Sequence, residues 1–194
     1  MGQEIGRVLQ ANTTNFTAGC RMMLQDIPSF GDFVRVIAQD GSIIYGFIYN
    51  VAIQSDPTVR QLITAPDLPE EYIKDQIENR LLPVEFSVAV VGYKRRGLIR
   101  QEPPPQPPLP FSIVETSSPE EIKEFALSGF NFLRTLLNIP GIPSDDVIAV
   151  ALRRIASSLG KEGHYFLVDA GRELTKLLYQ DTARLESILR RIKS

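Results

Sequence analysis

The chain is poor in the residues that most often do chemistry. It has one cysteine, Cys20, and one histidine, His164. A lone cysteine cannot form an internal disulfide, and a lone histidine leaves a metal site short of its commonest ligand and a triad dependent on a single ring. Cys20 has no base beside it and falls on an apolar strand face, so it reads as a structural thiol rather than a nucleophile. His164, in Lys161-Glu162-Gly163-His164, reads as a helix-start residue. No G-x-x-x-x-G-K-[ST] occurs: Gly160-Lys161 is followed by Glu162 and Gly163, so the loop that cradles phosphates is missing. Charge of one sign is also lacking. The net charge is -2, with ten Lys+Arg against twelve Asp+Glu through Pro110 and eleven against eleven after it, so no global field draws in DNA. No apolar run approaches membrane-spanning length, no basic start precedes an apolar core, and Met1-Gly2 is followed by Gly6 where a myristoylation signal wants Ser or Thr. The expectation is a cytoplasmic protein with no cofactor, no metal site and no membrane partner.

What is present is enough to fold. An apolar fraction of 43% over 194 residues supports a real core and allows one or two domains. The first half reads as short strands. Residues 5–9 form a candidate strand, and Phe16, Ala18, Cys20, Met22 and Leu24 alternate with Thr17, Gly19, Arg21, Met23 and Gln25, the period of a strand with one buried face. The runs 33–38 and 43–53 flank Asp40-Gly41, a dipeptide suited to the positive φ of a hairpin turn, and should pair antiparallel. Gly46 within the second run marks a bulge or barrel corner. The prolines at 66 and 69 break the chain, and residues 70–82 suit one short helix. Residues 84–91 are β-prone, Arg95-Arg96-Gly97 is a tight turn, and 98–101 return as the partner strand. Six of the eight residues 103–110 are proline, which favours extended polyproline II geometry and reads as a semi-rigid spacer.

Short antiparallel strands with glycines at bends suggest a small closed barrel, because closure removes exposed edges. The stretches IGRVLQANTTNF, GDFVRVI…IIYGFIYNV and EFSVAVVGY…GLIRQEPPPQPP resemble the HAS barrel, the N-terminal β-barrel shared by HerA-type DNA translocases and rotary ATP synthase subunits. The likeness covers about residues 5–110, and its most specific part is Ile99-Arg100-Gln101 followed by the prolines. It implies a non-catalytic barrel that holds subunits together and docks partners. In HerA-like proteins the proline segment leads to a RecA-like ATPase domain. This chain departs there, having neither the phosphate loop nor the alternating strands and helices such a domain needs.

The second half is helical instead. Ser118-Pro119-Glu120-Glu121 supplies a capping oxygen, a proline at the first helical position and a glutamate at the third. Ile122, Phe125, Ala126, Phe130, Leu133, Leu136 and Leu137 keep one apolar face, with Gly129 as a break or close crossing. Residues 139–143 turn the chain, Ser144 is placed to cap the next helix, and Asp181 caps a last helix ending in Arg190, Arg191 and Lys193. Asp145-Asp146 and Glu120-Glu121 suit the positive ends of helices and need no catalytic role. The expected fold is α+β: a small antiparallel β-barrel over 1–102, a proline-rich linker over 103–116 and an α-helical bundle over 117–194.

Two surface features are candidates for binding. Lys94, Arg95, Arg96 and Arg100 form the densest positive cluster, either a solvated turn or a docking tip for an acidic partner or phosphate backbone. Tyr45, Phe47 and Tyr49 alternate on one strand face, a pattern found in cores and interfaces and also in base-stacking platforms. Phe130, Phe132 and Leu133 on adjoining helix faces suggest a homo-oligomer, a dimer before a ring. The favoured reading is a non-catalytic interaction or assembly protein whose partner is an ATPase or DNA-processing complex. A weak, sequence-independent nucleic-acid-binding module and an enzyme without a recognisable motif are the alternatives.

Overall fold

A computed structural model describes residues 2–23, 26–54, 69–71 and 82–193. The break and helix expected over 66–82 lie outside these, apart from 69–71 and Leu82. Seven strands are described: β1 (Glu4–Ala11), β2 (Asn15–Met22), β3 (Phe33–Ile37), β4 (Ile43–Ile53), β5 (Leu82–Arg95), β6 (Leu98–Arg100) and β7 (Ile113–Thr116). They run β2-β1-β7-β3-β4-β5, every pair antiparallel, and β5 pairs back onto β2, so six strands close into a barrel while β6 is added to β5 alone.

Local sequence accounts for the corners. Asp40 accepts from Ser42 N–H at 3.0 Å and from Ser42 Oγ at 2.6 Å, fixing the β3–β4 turn. Between β5 and β6 only Arg96 and Gly97 are unpaired, with φ of 51° and 80°, the left-handed pair that matches strand twist in a two-residue hairpin. The β4–β5 register slips between Tyr45 and Gly46. A Cβ at Gly46 would overlap Val88 Cγ1 and lie 2.7 Å from Ala89 O, so glycine stands there because the neighbouring strand approaches too closely for a side chain.

Part of the proline segment is built into the fold. Pro104 and Pro108 are buried, and the last residues of the expected linker are β7 itself, inserted between β1 and β3. Without β7 those two strands would have no neighbour on that side. Four residues, IVET, following prolines are too short for alternation to announce a strand.

Five helices follow: α1 (Pro119–Leu127), α2 (Asn131–Asn138), α3 (Ser144–Leu159), α4 (Gly163–Leu177) and α5 (Thr182–Lys193). Ser118 and Glu121 make the reciprocal capping box, worth about 1 kcal/mol. Gly129 at φ 124° breaks the expected first helix into α1 and α2. Asp181 Oδ1 accepts from Arg184 N–H at 3.0 Å. Ser144 is not the cap of α3: Pro143 holds that position without a side-chain bond, and the Ser144 hydroxyl faces Ile142 O at 3.5 Å. Helix α3 is central and touches each of the other four.

The barrel has two cores because two of its strands are buried on both faces. Ile44, Ile48, Phe86, Val88 and Val90 point into the barrel with Val8, Phe16, Val34 and Val114. Tyr45, Phe47, Ala89 and Val91 point outward, and with Phe33 they lie beneath Phe125, Phe132, Leu133, Ile148 and Leu152 of the helices. The helical half is therefore packed onto the outer wall of β3, β4 and β5.

Candidate interaction surface

The β5–β6 hairpin carries the four basic residues singled out in the sequence. Lys94 Nζ meets Glu124 Oε2 of α1 at 2.7 Å, Arg95 meets Asp40 Oδ2 at 3.4 Å, and Arg100 meets Glu102 Oε1 at 3.6 Å. The two Ser42 hydrogen bonds, aided by Arg95, hold the Asp40 carboxyl below its usual range, so it stays charged. Arg96, in the turn, has no ion pair among the described residues. Four cations thus stand against three carboxylates. The tip carries a local charge of about one unit rather than four, and the electrostatic grip on a phosphate chain falls accordingly. A cleft of about 360 Å³ opens beside it, lined by Tyr93, Arg95, Arg96, Leu98 and Arg100.

The aromatic stripe cannot stack bases. Tyr45 and Phe47 are fully buried: Phe33 lies 5.4 Å from Tyr45 and 4.8 Å from Phe47, centroid to centroid, and Phe125 and Phe132 close over them. Tyr49 is half-buried against the same core. The signal was in the sequence, since IIYGFIYNV is nearly continuous in apolar residues, as in strands covered on both faces, rather than alternating. The expected oligomer contact at Phe130, Phe132 and Leu133 is corrected in the same way. Phe132 and Leu133 are fully buried, and Phe130 packs on Phe166 at 5.2 Å.

The remaining chemistry-bearing residues are quiet. Cys20 is half-buried, and burial raises its thiol pKa, which keeps it protonated. His164 is exposed beside Tyr165. Asp145 and Asp146 pair with Arg184 at 2.8 Å and Arg191 at 3.3 Å of α5. Among the described residues no group of three or more His, Cys, Asp or Glu could hold a metal ion. A cleft of about 310 Å³ lies where β3 and β7 meet α3, but its two charges, Asp32 and Arg154, bind each other at 2.6 Å.

Two residues that position the surface carry no motif. Arg35 of β3 joins Glu115 of β7 and Glu121 of α1, each at 2.8 Å, tying the capping box to the barrel. Burial alone would lower its pKa, and the two carboxylates outweigh burial and raise it. Gln101 is buried at the end of the hairpin. Its Nε2 lies 3.1 Å from Phe125 O, 2.9 Å from Ser128 Oγ and 2.9 Å from Gly129 O, while its Oε1 accepts from Phe132 N–H at 3.1 Å. One amide thus holds the end of α1 and the start of α2 against the hairpin. No protein-family model matches the chain, and no curated protein matches it. No helix among the described residues is long and apolar enough to cross a membrane.

Proposed function

We propose that the chain is a non-catalytic interaction or assembly protein of the cytoplasm, built on a HAS-type barrel whose usual ATPase domain is replaced by a helical cover. The observation that carries this reading is the disposition of its reactive groups. Tyr45, Phe47 and Cys20 are taken up in packing, and Lys94, Arg95, Arg100, Arg154 and Arg35 are taken up in ion pairs. Two turns project outward with exposed side chains, the β5–β6 hairpin with Leu98 and the end of the proline segment with Phe111. Projecting turns on a rigid barrel suit docking better than turnover. By analogy with the family it resembles, the partner is an ATPase or a DNA-processing complex.

Cross-linking in source cells, with mass-spectrometric mapping of the linked residues, tests the reading: recurrent links from the hairpin to one protein are expected, and their absence counts against it. Calorimetry with Mg-ATP is expected to show no binding, and one micromolar site per chain would overturn the non-catalytic assignment. The nucleic-acid alternative keeps one supporting observation, that Arg96 has no ion pair among the described residues. It requires binding that is weak, indifferent to sequence and abolished by moderate salt. Arg95→Glu with Arg96→Glu should remove that binding and leave the thermal midpoint almost unchanged.

A further inference from the structure

The turn at 109–112 adopts a conformation that its own sequence opposes. Ser112 N–H donates to Leu109 O at 3.1 Å, closing a four-residue turn with Pro110 second and Phe111 third, and Phe111 has φ 70°. A turn with proline second and a left-handed third residue calls for glycine or asparagine there, and a bulky side chain is strained. The backbone is held in place nonetheless: Phe111 N–H donates to Val8 O at 2.8 Å, Val8 N–H donates to Ser112 O at 2.9 Å, and Arg7 Nη1 donates to Phe111 O at 3.3 Å. The chain gains no packing from this strain, because Phe111 is 79% exposed, more than any other large apolar residue among those described. A local rule broken without internal return points to a use outside the chain.

The surroundings of Phe111 are apolar and belong to neither core. Leu9 (54% exposed) follows Val8 on β1 beside the turn, and Leu109 (45%) opens the turn. Ile113 (41%) pairs with Arg7, and the pairing of Val36 with Val114 sets Ile37 (54%) next to it. The charges here cancel: Arg7, between Phe111 and Ile113, pairs with Glu4 at 3.2 Å, and Arg35 is held by Glu115 and Glu121. A neutral apolar face with an aromatic knob does not suit nucleic acid.

We propose that this face is a self-association surface on which a second copy of the chain packs the same face about a two-fold axis, with Phe111 as the central anchor. The proposal rests on the interaction-protein reading and names one partner for it. Area argues for a second copy: the five side chains expose roughly 500 Å², close to the apolar share of the ~800 Å² that each partner gives to a standard interface. Charge argues the same way, since Glu4 and Arg7 are adjacent and opposite in sign, so a two-fold contact can set each against the other's counterpart.

Sedimentation equilibrium of the full chain, from low micromolar to submillimolar concentration, tests the proposal with Phe111→Gly and Ile113→Lys beside the wild type. A monomer–dimer equilibrium is expected for the wild type, weakened at least about tenfold by either substitution. At a concentration where both chains are monomeric, Phe111→Gly should melt at or above the wild-type midpoint, because glycine relieves the left-handed strain. A wild type that stays monomeric overturns the self-association and leaves the wider reading to its own cross-linking test. Dimerisation untouched by both substitutions, open-ended higher assemblies, or a clear loss of monomer stability in Phe111→Gly also overturns the proposal.

Discussion

At the scale of single residues, the junction between barrel and helices contains a misfit that makes a measurable prediction. The Tyr45 ring is fully buried between Phe33 and Phe125, but its hydroxyl has no hydrogen-bond partner among the described residues. A buried hydroxyl without a partner costs about 1–3 kcal/mol in desolvation, so Tyr45→Phe should keep the packing and raise stability by about 1 kcal/mol in urea denaturation at neutral pH. The same hydroxyl gives a pH signature. Burial, and after it the negative charges of Glu121 and Glu124, raise its pKa above the ordinary value of 10.0, with Arg35 opposing them. The folded chain therefore holds this proton more tightly than the unfolded chain does. Its contribution is complete below pH 10 and is lost as the pH rises beyond that, because the unfolded state then gains by releasing the proton. Wild type should lose more stability than Tyr45→Phe between neutral pH and pH values above 10, and equal losses would sink the assignment. Gly46→Ala should be destabilising by at least about 1–3 kcal/mol, since Ala89 O belongs to the backbone of β5 and cannot swing aside as a side-chain tip can.

At the scale of elements, Gln101 is a single point of attachment for two helices. Replacing it by alanine leaves the Gly129 carbonyl and the buried Phe132 amide without this partner, while the Phe125 carbonyl keeps Ser128 N–H and Oγ, so Gln101→Ala should cost about 1–3 kcal/mol in chemical denaturation. Gln101→Glu is the sharper test. It nearly preserves shape but turns the donor into an acceptor facing two carbonyl oxygens, and a variant as stable as wild type would remove Gln101 from this role. Most elements were legible before the fold was known, and each for a reason that acts over a few residues. Asp40-Gly41 marks a hairpin because it tolerates positive φ, and Ser118-Pro119-Glu120-Glu121 marks a helix start because it satisfies free amides. The elements that were not legible depend on distant partners. Strand β7 exists because β1 and β3 each lack a neighbour without it, and Ser144 loses the capping position to Pro143 once its own backbone is drawn into α3. The basic hairpin was legible as a location. Its near-neutrality was not, since Glu124 lies 30 positions from Lys94 and Asp40 lies 55 from Arg95.

At the scale of the whole molecule, the question is whether the barrel and the helices are one cooperative unit. The proline segment suggests two bodies on a stiff spacer, but β4 and β5 place alternate side chains in two cores, so neither core can be dismantled without stripping one face of the same strands. Of the ion pairs across the junction, Arg35 to Glu121 is largely buried and Lys94 to Glu124 is not. The latter is partly exposed and worth about 1 kcal/mol at most, whereas a buried phenylalanine is worth several. Phe125 is the residue to use. It is fully buried on α1, touches Phe33 at 4.9 Å and Phe132 at 5.6 Å, and faces Tyr45 of the barrel wall. Phe125→Ala should cost about 3–5 kcal/mol, and if the molecule unfolds as one unit that loss must appear equally in far-ultraviolet circular dichroism, dominated by the helices, and in the near-ultraviolet signal of the tyrosines, of which Tyr45, Tyr49 and Tyr93 lie in the barrel. Coincident transitions at a lower denaturant midpoint, with the slope unchanged, are the expected outcome. A helical signal that melts ahead of the tyrosine signal would instead separate the two halves, and it would return the proline segment to the role of a spacer.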